Sequence, residues 1–142
     1  MFTQKSRTLF IVDDNETYAR SLQAAIRSHF PGIYAIKTFS IGETCLLELH
    51  RNPEIVIVDY YLNTKFPSAH NGLETIKQIN AQKPQTKTIL LTSLANVNFN
   101  SEAIKQYNSS YVEKDAEGFN HVVKLIKEII ISKNSNALEL WG

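Results

Sequence analysis

Short runs of apolar residues, each followed at once by polar residues, recur along this chain. Residues 55–58 (IVIV) lead into Asp59, and residues 9–12 (LFIV) lead into Asp13 and Asp14. Continuous runs rich in Val and Ile are typical of strands buried on both faces of a parallel sheet. Three weaker runs are also interpreted as strands, at residues 34–39, 88–91 and 111–112. The pattern therefore predicts five strands.

Helical periodicity separates these runs. Asp14 or Asn15 can cap a first helix, in which apolar residues recur every four positions at 22, 26 and 30. Ser40 and Glu43 form a capping box that opens a second helix, which the apolar residues at 46, 47 and 49 extend to His50. A third helix is predicted after Gly72, a weaker one over about residues 101–107 and a last one over about residues 116–133.

The alternation of strand and helix predicts the fold class. Alternation at this spacing indicates right-handed βαβ units, and so a parallel sheet with helices on both faces. We expect an α/β, doubly wound, five-stranded sheet, for which the order 2-1-3-4-5 is common. The expected boundaries are an N-terminal extension at 1–7, one domain at 8–133, and a C-terminal tail or the start of a linker at 134–142.

Polar residues at the strand ends form a candidate site. Asp13, Asp14, Asp59, Thr92 and Lys114 all follow predicted strands, so they should meet at one edge of the sheet. Three adjacent carboxylates repel one another unless a cation intervenes, and hard oxygen ligands suit Mg²⁺. A cation, a lysine and a hydroxyl around one carboxylate would clamp a transferring phosphoryl group. The set predicts that Asp59 is a nucleophile that becomes an aspartyl phosphate.

In five segments the chain resembles the receiver domain of two-component response regulators. The matching segments are residues 11–15 (IVDDN), 57–59 (IVD), 71–72 (NG), 91–93 (LTS) and 111–114 (YVEK). Each is weak alone, but all five occur in order at predicted strand ends or helix starts. The resemblance spans about residues 8–132 and implies a flavodoxin-like receiver fold.

The resemblance also implies a metal site. By analogy with the family, Asp14 and Asp59 would bind Mg²⁺ directly, together with the backbone carbonyl of Tyr61. Asp13 would hold a metal-bound water.

Further roles follow from the same resemblance. Asp59 would accept a phosphoryl group from a sensor histidine kinase or a histidine phosphotransfer protein, and Lys114 would pair with the phosphoryl oxygens. Thr92 and Tyr111 would be the switch residues that respond to it. The implied protein is a signalling switch rather than an enzyme with an external substrate, and it acts on a downstream output protein or on a C-terminal output domain.

Two features depart from the family pattern. Asp115 follows the lysine where the family usually has proline, and a cis bond before a residue other than proline costs about 3 kcal/mol. The segment at residues 60–71 is also longer than usual, so it should bulge outward near Tyr61.

Composition narrows the function classes. The 142 residues carry a net charge of +1, which gives no electrostatic reason to expect binding to nucleic acid or to a membrane surface. The single cysteine, Cys45, forms no internal disulfide, and no apolar stretch is long enough to span a bilayer. We therefore expect a cytoplasmic protein. The tail at residues 137–142 is expected to be disordered, to continue the last helix, or to pack on a partner subunit in a homodimer.

Two other functions compete with this interpretation. A phosphatase similar to the haloacid dehalogenases would also use an aspartyl nucleophile, but that class has Asp-x-Asp-x-Thr/Val after the first strand, whereas residues 13–17 are DDNET. Turnover would separate the two, since a phosphatase hydrolyses many substrate molecules. A flavodoxin-like cofactor binder would need a phosphate-binding loop after the first strand, where two carboxylates would repel the phosphate.

Overall fold

A computed structural model describes residues 7–62, 64, 66–93 and 107–141 of the chain, with the backbone alone over 134–141. The predicted helix over 101–107 lies outside these residues except at its last position. The strands are β1 (Arg7–Val12), β2 (Tyr34–Phe39), β3 (Ile55–Asp59), β4 (Lys87–Thr92) and β5 (Ser109–Glu113). The helices in the described residues are α1 (Glu16–His29), α2 (Gly42–Leu46), α3 (Gly72–Gln82) and α4 (Gly118–Trp141), with a 3-10 turn at Leu49–Arg51.

The five strands form one parallel sheet in the order β2-β1-β3-β4-β5, which confirms the predicted topology. The register sets the strand ends close to one another. Val12 pairs with Val58, Asp59 pairs with Leu91, and the last residue of β4 pairs with the last residue of β5. The polar residues that follow β1, β3, β4 and β5 therefore emerge along one edge of the sheet.

Strand β3 lies between two hydrophobic layers. Its side chains alternate, so that Ile55 and Ile57 pack with α1 and α4 on one face. Val56 and Val58 pack with α2 and α3 on the other face. All four are fully buried, which explains why this strand is a continuous apolar run in the sequence.

Two helices differ in extent from the prediction. Helix α2 ends at Leu46 and a 3-10 turn follows, whereas the apolar spacing had predicted one continuous helix. Helix α4 continues to Trp141, beyond the predicted end at 133. No proline or glycine interrupts residues 119–141, so nothing in the sequence forces the helix to end earlier. Among the described residues, no helix is both long enough and apolar enough to cross a membrane.

Gly72 fixes the segment after β3 against the strand end. Its backbone N–H donates to the carbonyl of Tyr60 at 2.8 Å, and Asn71 caps α3 by accepting from the backbone N–H of Glu74. A Cβ atom at Gly72 would lie 2.3 Å from the backbone oxygen of Asp59. The glycine therefore permits a close backbone approach that keeps α3 next to the end of β3.

We predict that Gly72→Ala lowers the free energy of unfolding by about 3 kcal/mol, because the added methyl group meets backbone atoms that cannot rotate away. Urea unfolding measures the change. Gly32→Asn is the control, since Gly32 has φ of +75° with nothing within 4 Å and asparagine tolerates that conformation. A loss in Gly72→Ala no larger than that in the control would contradict the close approach.

Candidate functional site

Three buried carboxylates meet at the carboxyl edge of the sheet. Asp59 is the last residue of β3, and Asp13 and Asp14 follow β1 directly. Their exposed fractions are 4%, 2% and 9% respectively. One carboxylate oxygen from each lies within 4.8 Å of the others. The strand register thus assembles the acidic cluster predicted from the sequence.

Lys114 places its ammonium group between two of these carboxylates. Its Nζ lies 2.8 Å from Oδ2 of Asp13 and 3.3 Å from Oδ1 of Asp59, and its side chain is 18% exposed. The backbone N–H of Lys114 donates to the carbonyl of Thr92 at 2.7 Å, which fixes the start of this side chain beside β4. The backbone N–H of Asn15 donates to Oδ1 of Asp13 at 2.9 Å, so both oxygens of Asp13 are engaged.

The cluster has more negative than positive charge. Burial, and then the charge of Asp13, raises the pKa of Asp59 to about 7, although Lys114 acts in the opposite direction. Three carboxylates with hard oxygen ligands, and among the described residues one paired ammonium group, fit a small divalent cation such as Mg²⁺. The carboxylate oxygens at this edge of the sheet therefore fit the divalent cation that the sequence predicts.

The two predicted switch residues occupy different environments. Thr92 ends β4, is 2% exposed, and its hydroxyl donates to the carbonyl of Ser93 at 3.3 Å. Tyr111 lies in the middle of β5, where it pairs with Leu90 and is 47% exposed. The structure thus brings Thr92 to the same edge as Asp59 and places Tyr111 two residues before the end of β5, further from that edge.

The long segment after β3 contributes a residue that the sequence analysis missed. The hydroxyl of Thr64 donates a hydrogen bond to Oδ2 of Asp14. Nearer the strand, Tyr61 packs edge to face on Tyr60, with ring centroids 5.2 Å apart, and Leu62 is fully buried. Loop residues have no periodicity that could have indicated Thr64, and the metal-ligand role of the Tyr61 carbonyl stays a prediction.

Tyr18 was also missed. The Nζ atom of Lys114 lies over the Tyr18 ring, 4.2 Å from its centroid. The ring in turn meets Phe119 in an edge-to-face contact with centroids 5.2 Å apart. The signal available in the sequence was an aromatic residue four positions after Asp14, in the first turn of α1.

We predict that the metal-free protein loses stability relative to Asp59→Asn as the pH rises from 4 to 7. The pKa of Asp59 is about 7 in the fold against an ordinary value of 3.8, so the unfolded chain releases this proton first. The stability contribution is complete below pH 4 and is lost as the pH rises through 7. The difference in the free energy of unfolding between the two proteins changes by at most about 1.4 kcal/mol per pH unit.

Urea unfolding in a chelator at a series of pH values measures this difference. The asparagine variant lacks the titrating group and is the reference. A difference between the two proteins that does not change with pH would show that Asp59 titrates normally in the fold.

Comparison with known proteins agrees with this geometry. The sequence matches the response regulator receiver domain family over residues 9–127. No curated protein matches the chain significantly.

Solved structures provide the fold comparison. The signal receiver domain of a protein described as a LuxO repressor, from Vibrio parahaemolyticus, is 17% identical with a TM-score of 0.75, and the match covers 95% of this chain and 98% of that one. A CheY-like receiver domain from Methanospirillum hungatei is 16% identical, with a TM-score of 0.72 and coverage of 92% and 99%. NtrX from Brucella abortus is 19% identical, with a TM-score of 0.73 and coverage of 97% and 30%.

At these identities the structural matches show the fold, and the family match extends over most of the chain. The matched residues include all three carboxylates and Lys114, and they give no support to the phosphatase alternative. The chain belongs to the response regulator receiver domain family.

Proposed function

We propose that Asp59 is the phosphoacceptor of a signalling switch and receives its phosphoryl group from a sensor histidine kinase or a histidine phosphotransfer protein. The observation that carries this proposal is the position of Asp59, a buried carboxylate at the end of the central strand with the Lys114 ammonium 3.3 Å away. Even beside Lys114 the ionised form of Asp59 is disfavoured, because burial and the charge of Asp13 raise its pKa to about 7, and a shift of this size in a cluster of charged groups is typical of a functional site.

The acidic cluster would hold Mg²⁺. Asp14, Asp59 and the backbone carbonyl of Tyr61 would be direct ligands, and Asp13 would act through a water. Oδ1 of Asp13 accepts from the backbone N–H of Asn15, and Oδ2 pairs with the ammonium of Lys114. Because both oxygens already have partners, an indirect role of Asp13 is supported. When bound, the ion neutralises charge on carboxylate and phosphoryl oxygens.

Asp59 would react in its ionised form. An oxygen of Asp59 attacks phosphorus, the new O–P bond forms, and the bond from phosphorus to the donor imidazole breaks. The electron pair leaves with the imidazole nitrogen, which takes up a proton. The Lys114 ammonium would then exchange its contact with Asp59 for the phosphoryl oxygens.

Thr92 and Tyr111 would transmit the change. The hydroxyl of Thr92 has a long contact of 3.3 Å with the carbonyl of Ser93, which it can exchange for a phosphoryl oxygen. Tyr111 is 47% exposed, and its ring would change rotamer together with Thr92. We infer that the chain catalyses only its own phosphorylation and dephosphorylation.

Partners and location complete the proposal. The match to NtrX covers only 30% of that protein, so one structural neighbour contains further chain beside its receiver domain. We propose that this domain, with its boundaries at 8–133, acts in the cytoplasm on an output protein or on an output domain joined after 134–142. Direct binding to nucleic acid or to a membrane is not proposed, and a homodimer is proposed as the assembled form.

We predict that acetyl phosphate with Mg²⁺ adds one phosphoryl group to the wild-type protein and none to Asp59→Asn. Intact-mass analysis measures the addition. Glu16→Ala, which removes an exposed carboxylate from the first turn of α1, is the control and should be labelled normally. Equal labelling of wild type and Asp59→Asn would place the phosphoryl group elsewhere.

We predict that Mg²⁺ binds about 100-fold or more weakly to Asp14→Ala, and about tenfold more weakly to Asp13→Ala. The reason is that a direct ligand is lost in the first variant and a water-mediated contact in the second. Calorimetric titration with Mg²⁺ measures both, and Glu16→Ala shows the effect of removing a charge outside the cluster. A larger loss in Asp13→Ala would reverse the two roles.

A further inference from the structure

We infer that Tyr18 is a positioning residue for Lys114, because the aromatic face of Tyr18 holds the lysine ammonium beside Asp59. The inference rests on the proposed function for its consequence, namely that this ammonium meets the incoming phosphoryl oxygens. The placement of the ammonium is a separate claim that can be tested on the protein without phosphorylation.

The ammonium group of Lys114 has three sides occupied. Two are ion pairs, at 2.8 Å to Asp13 and 3.3 Å to Asp59, and the third is the Tyr18 ring, whose centroid is 4.2 Å from Nζ. An ammonium over an aromatic face is attracted by the ring quadrupole, which makes the electrostatic potential of that face negative. Unlike a carboxylate, the ring does not compete with phosphoryl oxygens as a strong hydrogen-bond acceptor. It can therefore hold the cation while leaving N–H donors for the reacting group.

The ring itself is held from two directions. Tyr18 lies in the first turn of α1, where its backbone N–H donates to the side chain of Asn15. On the other side it packs edge to face on Phe119, in the first turn of α4. A Cβ atom at Gly118 would lie 3.6 Å from the Tyr18 hydroxyl oxygen, an ordinary van der Waals distance, so the tip of the ring lies next to the start of α4. The Tyr18 ring thus belongs to α1, contacts α4 through Phe119, and has the Lys114 ammonium over its face.

The simpler interpretation is that Tyr18 is an ordinary core residue with no part in the site. Its hydroxyl oxygen is buried and, within the described residues, makes no hydrogen bond. Burial, followed by the charges of Asp13, Asp59 and Asp115, raises the pKa of Tyr18 to about 12, so the ring stays neutral. The hydroxyl group therefore contributes little, and the two interpretations differ in whether an aromatic face is needed.

Three substitutions separate these interpretations. Tyr18→Phe keeps the aromatic face and removes the hydroxyl, whereas Tyr18→Leu keeps an apolar side chain without that face. Phe30→Leu is the matched control, since Phe30 is a buried aromatic residue of the same hydrophobic layer at the opposite end of α1. If Tyr18→Leu does not fold by circular dichroism, Tyr18→Met takes its place in every comparison.

The first measurement is the proton NMR shift of the Lys114 ε-methylene group in the metal-free protein. A ring current should move these protons upfield in wild type, in Tyr18→Phe and in Phe30→Leu, and the shift should disappear in Tyr18→Leu. The second measurement is the rate of labelling by acetyl phosphate with saturating Mg²⁺. The maximal rate should fall about tenfold in Tyr18→Leu and stay within about twofold of wild type in the other two variants.

Three results would overturn the inference: no upfield shift in wild type, a wild-type maximal rate in folded Tyr18→Leu, or a fall in Tyr18→Phe as large as that in Tyr18→Leu. Failure of the proposed function looks different, because wild type itself would then take no label on Asp59. In that case the methylene shift alone decides whether Tyr18 holds the ammonium.

Discussion

Repulsion among three buried carboxylates is the constraint on which the candidate site depends. Asp13, Asp14 and Asp59 converge because β1 and β3 are neighbours in the sheet, and the one ammonium group that pairs with them in the described part of the chain cannot balance all three. Burial, and after it the charge of Asp13, raises the pKa of Asp59. Any group that adds positive charge would stabilise such a site, and this would be the physical reason for a cation in the proposed phosphoryl transfer.

The scaffold tolerates this cost because the strand beneath it is secured on both sides. The β3 side chains alternate between two hydrophobic layers, so the strand is packed against helices on both faces. The close backbone approach at Gly72 adds a second restraint at the strand end. Close packing on both faces opposes movement of the strand, so the carboxylates stay together at its end despite their repulsion.

The sequence predicted the fold and the acidic cluster for a common reason. Both depend on periodic or contiguous signals: buried runs such as 55–58 mark the central strands, and polar residues directly after them mark one sheet edge. The same logic could not find Thr64 or Tyr18. Thr64 reaches Asp14 from an irregular segment, and the contact between Tyr18 and Lys114 depends on how α1 packs against the start of α4. The predicted end of the last helix at 133 was also wrong, since the polar residues near 134 resemble a linker but do not prevent a helix.

The order of the strands also decides when the acidic cluster exists. Asp14 and Asp59 come from distant parts of the chain and meet only when β1 has paired with β3. An unfolded chain therefore holds no preformed cluster, and a cation that binds this cluster binds the folded form alone. Mass action then makes the cation a folding ligand, which adds about 2.7 kcal/mol of stability at a hundred times its dissociation constant. A cation at the cluster would thus stabilise the folded chain, because it would relieve the repulsion among the carboxylates in the free protein.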